Sequence, residues 1–313
     1  MTDKTAFIFP GQNSQAVGMG QEWAAAYPAA ERIFADADDI LGRSLSALCW
    51  TGPAEDLNQT ENTQPAIFTT TLAILAALRS DGFTLQPDFV AGHSLGEYAA
   101  YVTAGVISFA DGLRLVQERG RLMKKAGDLN PGKMAVILQL EDDVVASLCA
   151  QASEETAIVQ VTNYNSPGQV VISGYEAGVD RAIELAKAAG ARRANKLDIS
   201  IAAHSSLMAV VSEEFAAAVD QVAISAPATP IIANNNAQPL MEPGAIRREM
   251  VEQLTSPLYW TDSIRYMIEQ GVTRFIEIGP KEVLAGLNKR IDRNVPTITV
   301  TKPDDLQQLR EAT

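Results

Sequence analysis

The stretch FVAGHSLGEYAA, Phe89–Ala100, decides the fold and points to the chemistry. Its first residues are apolar or small and favour a short buried strand, whereas the residues from Glu97 onward favour a helix. Between them lies GHSLG at 92–96, a Gly-x-Ser-x-Gly motif at a strand-to-helix turn. Such a turn lifts the serine hydroxyl above the edge of a parallel sheet, where the N-terminus of the helix stabilises an oxyanion. Ser94 is therefore predicted to be a nucleophile rather than a structural turn serine.

Strands alternate with helices on both sides of this motif. Thr5–Pro10 is predicted as a buried strand and Pro65–Leu78 as a helix. Ser108 and Asp111 have the spacing of a helix-capping box, and Gly127 is a suitable stop for the helix that follows them. The alternation predicts an α/β protein with a parallel sheet and helices on both faces.

The order of predicted elements changes to βαββαβ within residues 128–199. The predicted strands and helices of this segment are 134–140, 142–153, 157–162, 169–173, 176–189 and 193–199. This order is typical of a ferredoxin-like unit. We therefore predict a ferredoxin-like subdomain at 128–199, inserted into a catalytic α/β core formed by 1–127 and 200–313. Phe275–Ile278 is predicted as the last buried strand of the core.

Composition limits the class of protein. The 313 residues include 25 Lys and Arg against 38 Asp and Glu, a net charge of −13, which argues against a nucleic-acid partner. The sequence shows neither a basic and apolar leader nor an apolar run long enough to span a bilayer, so we expect a cytoplasmic protein without a membrane partner. Cys49 and Cys149 are too few and too far apart for a disulfide framework or a metal site. Neither a metal nor a redox cofactor is expected.

A serine needs a general base to become a nucleophile. The chain has two histidines, and His93 lies next to Ser94, where the two side chains diverge. His204, in AAHSS at 202–206, is therefore predicted to be the base. No Asp is obviously placed to orient it in the Ser…Asp…His order of hydrolases, and Asp198 lies too close in sequence to be assigned.

Arg119 lies in the next predicted helix, within QERGRLM at 117–123. An arginine that faces an acyl pocket pairs bidentately with a free carboxylate. Met123 follows one helical turn later on the same face and would line such a pocket. An isolated arginine is more often a surface residue, and sequence spacing leaves both interpretations open.

These motifs together resemble those of the malonyl-CoA:acyl carrier protein transacylases of fatty acid synthesis, whose relatives include acyltransferase domains of polyketide synthases. The matching stretches span nearly the whole chain in order: FPGQ at 9–12, GHSLGEYAA at 92–100, QERGRLM at 117–123, NSPGQVVISG at 165–174, HSSLM at 204–208, QLTSPLYW at 253–260 and IEIGP at 276–280. The resemblance implies an α/β-hydrolase-like core with a ferredoxin-like insert.

The resemblance also implies a ping-pong acyl transfer. Ser94, with His204 as its base, would take the malonyl group from malonyl-CoA and pass it to the phosphopantetheine thiol of acyl carrier protein. Arg119 would hold the free carboxylate of the malonyl group. Backbone N–H groups of Gln12 and Leu95 would form the oxyanion hole. The CoA thioester would be the substrate, so no further cofactor is implied.

The same resemblance assigns the group that orients the base to the carbonyl of Gln253, which accounts for the missing Asp. One position departs from the family, where Pro-Phe-His is usual and this chain has Ala202, Ala203 and His204. In polyketide relatives this position contributes to the choice between malonyl and branched units. We therefore expect Ala203, which would line the acyl pocket with Met123, to let this enzyme accept α-substituted malonyl groups better than typical relatives do.

Docking of an acidic carrier protein to an acidic enzyme requires a local basic patch. Two clusters are candidates: Arg192, Arg193 and Lys196 at the end of the insert, and Lys289 and Arg290 near the C-terminus. A solvated charged face explains both clusters equally well.

Three other functions compete with a monomeric fatty acid synthesis enzyme. A free-standing acyltransferase of a polyketide synthase would have the same chemistry and a different carrier. A serine hydrolase of small carboxylated esters or thioesters fits Arg119 and the missing Asp less well. A non-catalytic carrier-binding subunit is disfavoured by the intact Ser94, His204 and glycines.

Overall fold

The structure is a computed structural model that describes residues 3–199 and 201–312. Within these ranges the strands are β1 Lys4–Phe9, β2 Phe89–Gly92, β3 Gly132–Leu138, β4 Val159–Ser166, β5 Gln169–Tyr175, β6 Arg193–Lys196, β7 Ile231–Ile232, β8 Pro239–Leu240, β9 Val272–Ile278 and β10 Thr297–Val300. The α-helices are α1 Gln21–Ala26, α2 Pro28–Leu41, α3 Leu45–Thr51, α4 Ala54–Leu57, α5 Thr60–Ser80, α6 Gly96–Thr103, α7 Phe109–Leu129, α8 Asp142–Ala152, α9 Glu176–Ala188, α10 Ser212–Asp220, α11 Pro243–Glu252, α12 Trp260–Glu269, α13 Leu284–Ile291 and α14 Asp305–Ala312. A 3-10 helix covers Ser206–Val211.

The larger sheet has the strand order β10-β9-β1-β2-β7-β8 and is parallel except for the short edge strand β8. Its central strand β1 is buried on both faces, as expected for a parallel sheet covered by helices. Because side chains alternate along a strand, Phe7 and Phe9 join one core with helices α2, α5 and α7, whereas Ala6 and Ile8 join another with α12 and α13. The predicted α/β class with a parallel sheet is confirmed.

The smaller sheet is antiparallel, with the order β4-β5-β3-β6. It is built from β3, α8, β4, β5, α9 and β6, a βαββαβ sequence of elements that lies within 128–199. Apolar residues of the strands, such as Ile137 and Ile172, pack with Val145 of α8 and Val179 of α9 in a core of their own. The two sheets therefore have separate cores, and the space between them is available for a site.

Several predicted boundaries are wrong. The helix predicted from Pro65 begins at Thr60 and holds Pro65 in its interior. The strand predicted to end at residue 162 continues to Ser166, across two register shifts in its pairing with β5.

Three further boundaries also differ. Helix α7 continues past Gly127 to Leu129. A glycine ends a helix when it adopts a left-handed conformation, and Gly127 does not have a positive φ. Strand β6 ends at Lys196 rather than at residue 199, and the residues that follow turn toward the space between the sheets. Phe275–Ile278 is not the last strand, since β10 pairs with β9 at the sheet edge. The four residues of β10 alternate between partly buried and buried positions, and an alternation this short is not recognisable from the sequence.

The predicted cap of α7 is confirmed. The Ser108 side chain accepts the backbone N–H of Asp111 at 3.0 Å and begins α7 as a cap. No helix in the described part of the chain combines the length and apolar character needed to cross a bilayer.

Candidate active site

The turn between β2 and α6 has the geometry of a nucleophile elbow. Ser94 has φ of 53°, a left-handed conformation that non-glycine residues adopt only when their surroundings impose it. A Cβ atom on Gly92 would lie 1.9 Å from the carbonyl carbon of Gly96, and one on Gly96 would lie 2.1 Å from the carbonyl oxygen of Phe9. Glycine is therefore required on both sides of the serine, because the strand, the turn and the helix approach one another too closely for side chains.

The structure brings Ser94 and His204 together across 110 residues of sequence. Ser94 Oγ lies 2.8 Å from His204 Nε2, and His204 Nδ1 lies 2.8 Å from the backbone oxygen of Gln253. A carbonyl oxygen only accepts, so Nδ1 carries the proton and Nε2 is left to accept the serine hydroxyl. Burial and the charge of Arg119 lower the pKa of His204 to about 3, which keeps the imidazole neutral.

The other histidine points away from the serine. His93 Nε2 lies 2.8 Å from Asn165 Oδ1 on β4, and the ring packs against Trp260 at 5.6 Å between centroids. His93 therefore links the elbow to the smaller sheet, and burial lowers its pKa. The side chains of His93 and Ser94 diverge, as predicted from the sequence.

Arg119 is buried, with 1% of its surface exposed, so it is not a surface arginine. Its Nη1 donates to Gln64 Oε1 at 2.9 Å, and its Nη2 donates to Gln253 Oε1 at 2.8 Å and to Ser94 Oγ at 3.2 Å. Its Nε has no hydrogen-bond partner, and within residues 3–199 and 201–312 no carboxylate forms an ion pair with the guanidinium. A buried cation held by neutral groups is costly, and an anion that entered this site would stabilise it.

The backbone N–H groups of Gln12 and Leu95 lie beside the elbow. A Cβ atom on Gly11 would fall 2.3 Å from the carbonyl oxygen of His93 and 3.6 Å from the nitrogen of Leu95, so the loop after β1 packs directly on the turn. In the part of the chain that the structure describes, neither the Gln12 nor the Leu95 N–H donates a hydrogen bond. Both donors remain available to an oxyanion formed at Ser94.

A buried polar network that sequence reasoning missed lies behind the elbow. Gln253 Nε2 donates to the carbonyl of Ser94 at 3.0 Å and to the carboxylate of Glu97. Asn234 contacts the elbow from the adjoining strand end, and its backbone N–H donates to Glu97 and Glu249. Burial, followed by the charge of Glu249, raises the pKa of Glu97 well above its usual range, and burial raises that of Glu249 to about 7. The one available signal was Glu97 itself, a charged residue in an otherwise apolar helix.

A cleft of about 650 Å³, including its open mouth, lies between the two sheets and reaches Ser94 and His204. Its apolar wall is formed by Met123, Met134, Val171, Leu197, Ile199, Ile201 and Ala203. Met123 is fixed from behind, since its sulfur accepts a hydrogen bond from Gln64 Nε2 at 3.1 Å. Within the described ranges, no group of three or more His, Cys, Asp and Glu side chains is arranged to hold a metal ion. The arrangement suits covalent catalysis at a serine beside an anion-binding arginine.

Comparison with known proteins agrees with this chemistry. Residues 6–302 match the family model described as the acyl transferase domain. A malonyl CoA-acyl carrier protein transacylase of Bacillus subtilis is 44% identical over 304 residues, 97% of this chain and 95% of the relative. The chain belongs to the malonyl CoA-acyl carrier protein transacylases. The recognition made from sequence motifs is confirmed.

Solved structures of the transacylase family have the same fold. An acyl carrier protein S-malonyltransferase of Vibrio cholerae is 42% identical with a TM-score of 0.94, covering 98% of this chain and 100% of the other. A malonyl-transacylase in complex with its type II polyketide acyl-carrier protein is 40% identical with a TM-score of 0.96, covering 99% and 100%. The likeness extends over both sheets, so the smaller sheet is part of the shared fold.

The basic residues predicted for docking separate into two groups in this transacylase. Two adjoining surface hollows are lined by Arg192, Arg193, Lys289 and Arg290, with Arg290 shared between them. Arg290 also donates to Gln169, the first residue of β5, and so bridges the core and the smaller sheet. Lys196 lines neither hollow, and its Nζ pairs with Glu176 at 2.6 Å and Asp180 at 2.8 Å.

Proposed function

We propose that this protein transfers a malonyl group from malonyl-CoA to the phosphopantetheine thiol of acyl carrier protein, through an ester on Ser94. The observation that carries the proposal is the buried guanidinium of Arg119, 3.2 Å from Ser94 Oγ and without a carboxylate partner among the described residues. A free carboxylate on the acyl group supplies that partner. A malonyl group has one, whereas an acetyl group or an uncharged acyl chain has none.

In the first half of the proposed reaction, Ser94 Oγ attacks the thioester carbonyl while its proton passes to His204 Nε2. The N–H groups of Gln12 and Leu95 stabilise the oxyanion. When the tetrahedral intermediate collapses, the C–S bond breaks and the CoA thiolate takes the proton from His204. The carbonyl of Gln253 holds the imidazole in the required tautomer throughout and stabilises its cationic form.

In the second half, the thiol of the carrier protein gives its proton to His204 and attacks the acyl-serine. The C–O bond breaks, and Ser94 recovers its proton from the imidazole. Thiol replaces thiol, so the reaction needs neither a metal nor a redox cofactor. The lowered pKa of His204 supports both halves, because a neutral base is regenerated after each step.

Two features support finer aspects of the substrate and the partner. Ala203 lines the cleft with only a methyl side chain, which supports acceptance of α-substituted malonyl groups. The hollows around Arg193 and Lys289 place a basic surface on a chain of net charge −13, which supports docking of an acidic carrier there. We further propose that the enzyme acts in the cytoplasm as a monomer.

The test is the intact mass of the protein after brief exposure to malonyl-CoA or acetyl-CoA, followed by addition of holo acyl carrier protein. We expect a malonyl adduct in the wild type that is absent in Ser94→Ala, persists in buffer and passes to the carrier. An adduct that decays to free malonate at the same rate with and without carrier would instead identify a hydrolase.

A polyketide role is the second candidate, since one solved relative is a malonyl-transacylase bound to a type II polyketide carrier. Comparing transfer rates to a fatty acid carrier and a polyketide carrier separates the two roles. Faster transfer to the polyketide carrier would favour the second.

A further inference from the structure

We propose that Asn234 is a positioning residue for the nucleophile, whose side-chain amide holds the elbow in the conformation that presents Ser94. Asn234 has 1% of its surface exposed and belongs to none of the motifs that suggested a role. It does not contact the cleft. It acts through the backbone on either side of the serine.

The amide of Asn234 spans the elbow. Its Oδ1 accepts the backbone N–H of Ser94 at 2.7 Å, and its Nδ2 donates to the carbonyl oxygen of Gly92 at 2.7 Å. Strand pairing explains this position. Strand β2 pairs with β7 as far as Ala91 and Ile232, and β7 ends there. If the parallel pairing continued, the backbone N–H and carbonyl of residue 234 would bond to the Gly92 carbonyl and the Ser94 N–H. The side-chain amide of Asn234 makes these two hydrogen bonds instead.

The amide has one possible orientation. Nδ2 faces two acceptors, the Gly92 carbonyl and Glu97 Oε1 at 3.2 Å, whereas Oδ1 faces the N–H of Ser94. The backbone N–H of Asn234 is in turn fixed by Glu97 at 3.0 Å and Glu249 at 3.1 Å. Since every one of these polar groups has its partner, the amide is held rigidly against the turn.

Rigidity matters here because Ser94 is in a left-handed conformation, which persists only where neighbouring groups determine it. Asn234 fixes the N–H of Ser94, and Gln253 fixes its carbonyl. If the first contact is lost, the turn relaxes and both the Ser94 hydroxyl and the following N–H of Leu95 move. Nucleophile and oxyanion donor are then misplaced together.

This inference rests on the proposed function of Ser94. The experiment measures the single-turnover rate constant and amplitude of acyl-enzyme formation, with malonyl-CoA and with acetyl-CoA. The KM of each donor is measured in addition from initial rates over a range of donor concentrations. The variant is Asn234→Ala. The matched control is Asn235→Ala, since among the described residues the side chain of Asn235 makes one hydrogen bond, from Nδ2 to Glu252 at 3.4 Å.

We expect Asn234→Ala to lower the rate constant about 100-fold with both donors alike, as a displacement of about 1 Å does, while the KM for malonyl-CoA and the final amplitude stay unchanged. Asn235→Ala should acylate at the wild-type rate. If Asn234→Ala does not fold, Asn234→Ser is measured in the same way, because its single hydroxyl cannot bridge both backbone groups.

Three results with the Asn234 variants would overturn the inference. A folded Asn234 variant with the wild-type rate constant shows that the amide is dispensable. A reduced amplitude with an unchanged rate constant shows that Asn234 only stabilises the fold. A loss confined to malonyl-CoA shows that the effect reaches Arg119 rather than the elbow. A wild type that forms no adduct overturns the proposed function first, and this inference with it.

Discussion

Arg119→Gln removes the positive charge from the site while leaving a polar side chain. In the free protein the guanidinium is bound to Gln64, Gln253 and Ser94 and has no ion pair among the described residues. A malonyl carboxylate would therefore be its first ion-pair partner, in a site shielded from water. Losing one partner of such a pair costs about 3 kcal/mol, which is about 150-fold in kcat/KM.

We expect that loss for malonyl-CoA alone. Acetyl-CoA has no carboxylate, so its acylation rate should stay within about threefold of the wild-type rate. The free energy of unfolding should not fall, since an unpaired buried cation destabilises the folded state. The assay is single-turnover acylation with each donor, combined with urea unfolding.

Arg121→Gln is the matched control, two residues along α7, because Arg121 is half exposed and pairs with Glu118 at 2.6 Å. It should leave both donors unaffected. An equal decline for malonyl-CoA and acetyl-CoA in Arg119→Gln would refute the reasoning, because the guanidinium would then act on the serine rather than on the substrate carboxylate.

Three further predictions concern the base, the acyl pocket and the docking surface. The pKa of His204 is lowered to about 3, so the imidazole stays neutral and able to act as a base until the pH approaches that value. The rate of acylation should therefore be constant from about pH 8 to about pH 5. A fall in that rate between about pH 7 and about pH 6 would contradict this prediction. Ala203→Phe should fill part of the cleft and lower methylmalonyl-CoA turnover at least about tenfold relative to malonyl-CoA turnover. Methylmalonyl-CoA turnover in the variant that equals or exceeds that of the wild type would count against an open pocket. Arg193→Glu combined with Lys289→Glu should raise the KM for acyl carrier protein about tenfold and leave acylation by malonyl-CoA unchanged. The control is Arg114→Glu, since Arg114 on α7 is exposed and lines neither hollow. An unchanged KM in the double variant would place docking elsewhere.

The elbow could be predicted from sequence because its physics is local. Two glycines and a serine within five residues, between a strand and a helix, suffice to describe a turn in which side chains would clash. The alternation of strands and helices likewise predicted the fold class. His204 could be selected because only two histidines compete for the role.

The rest of the site depends on contacts that no local pattern carries. The group that orients His204 is a backbone carbonyl, and every residue type offers one, so Gln253 emerged only from family resemblance. Asn234 lies 140 residues from Ser94, and its role follows from where β7 stops. The burial of Arg119 depends on how α7 packs against α5, which supplies Gln64.

The two separate cores have a consequence for how this enzyme could be changed. His204 and Arg119, which contact the serine hydroxyl, and Gln253, which contacts Arg119, all come from the unit built on the larger sheet. The smaller sheet contributes one wall of the cleft and part of the basic surface. Exchange of the smaller unit between homologues, by natural variation or in a chimera, would thus change which acyl donors and carrier proteins the enzyme binds. The rate of the bond-breaking steps would remain that of the protein that supplies the larger unit.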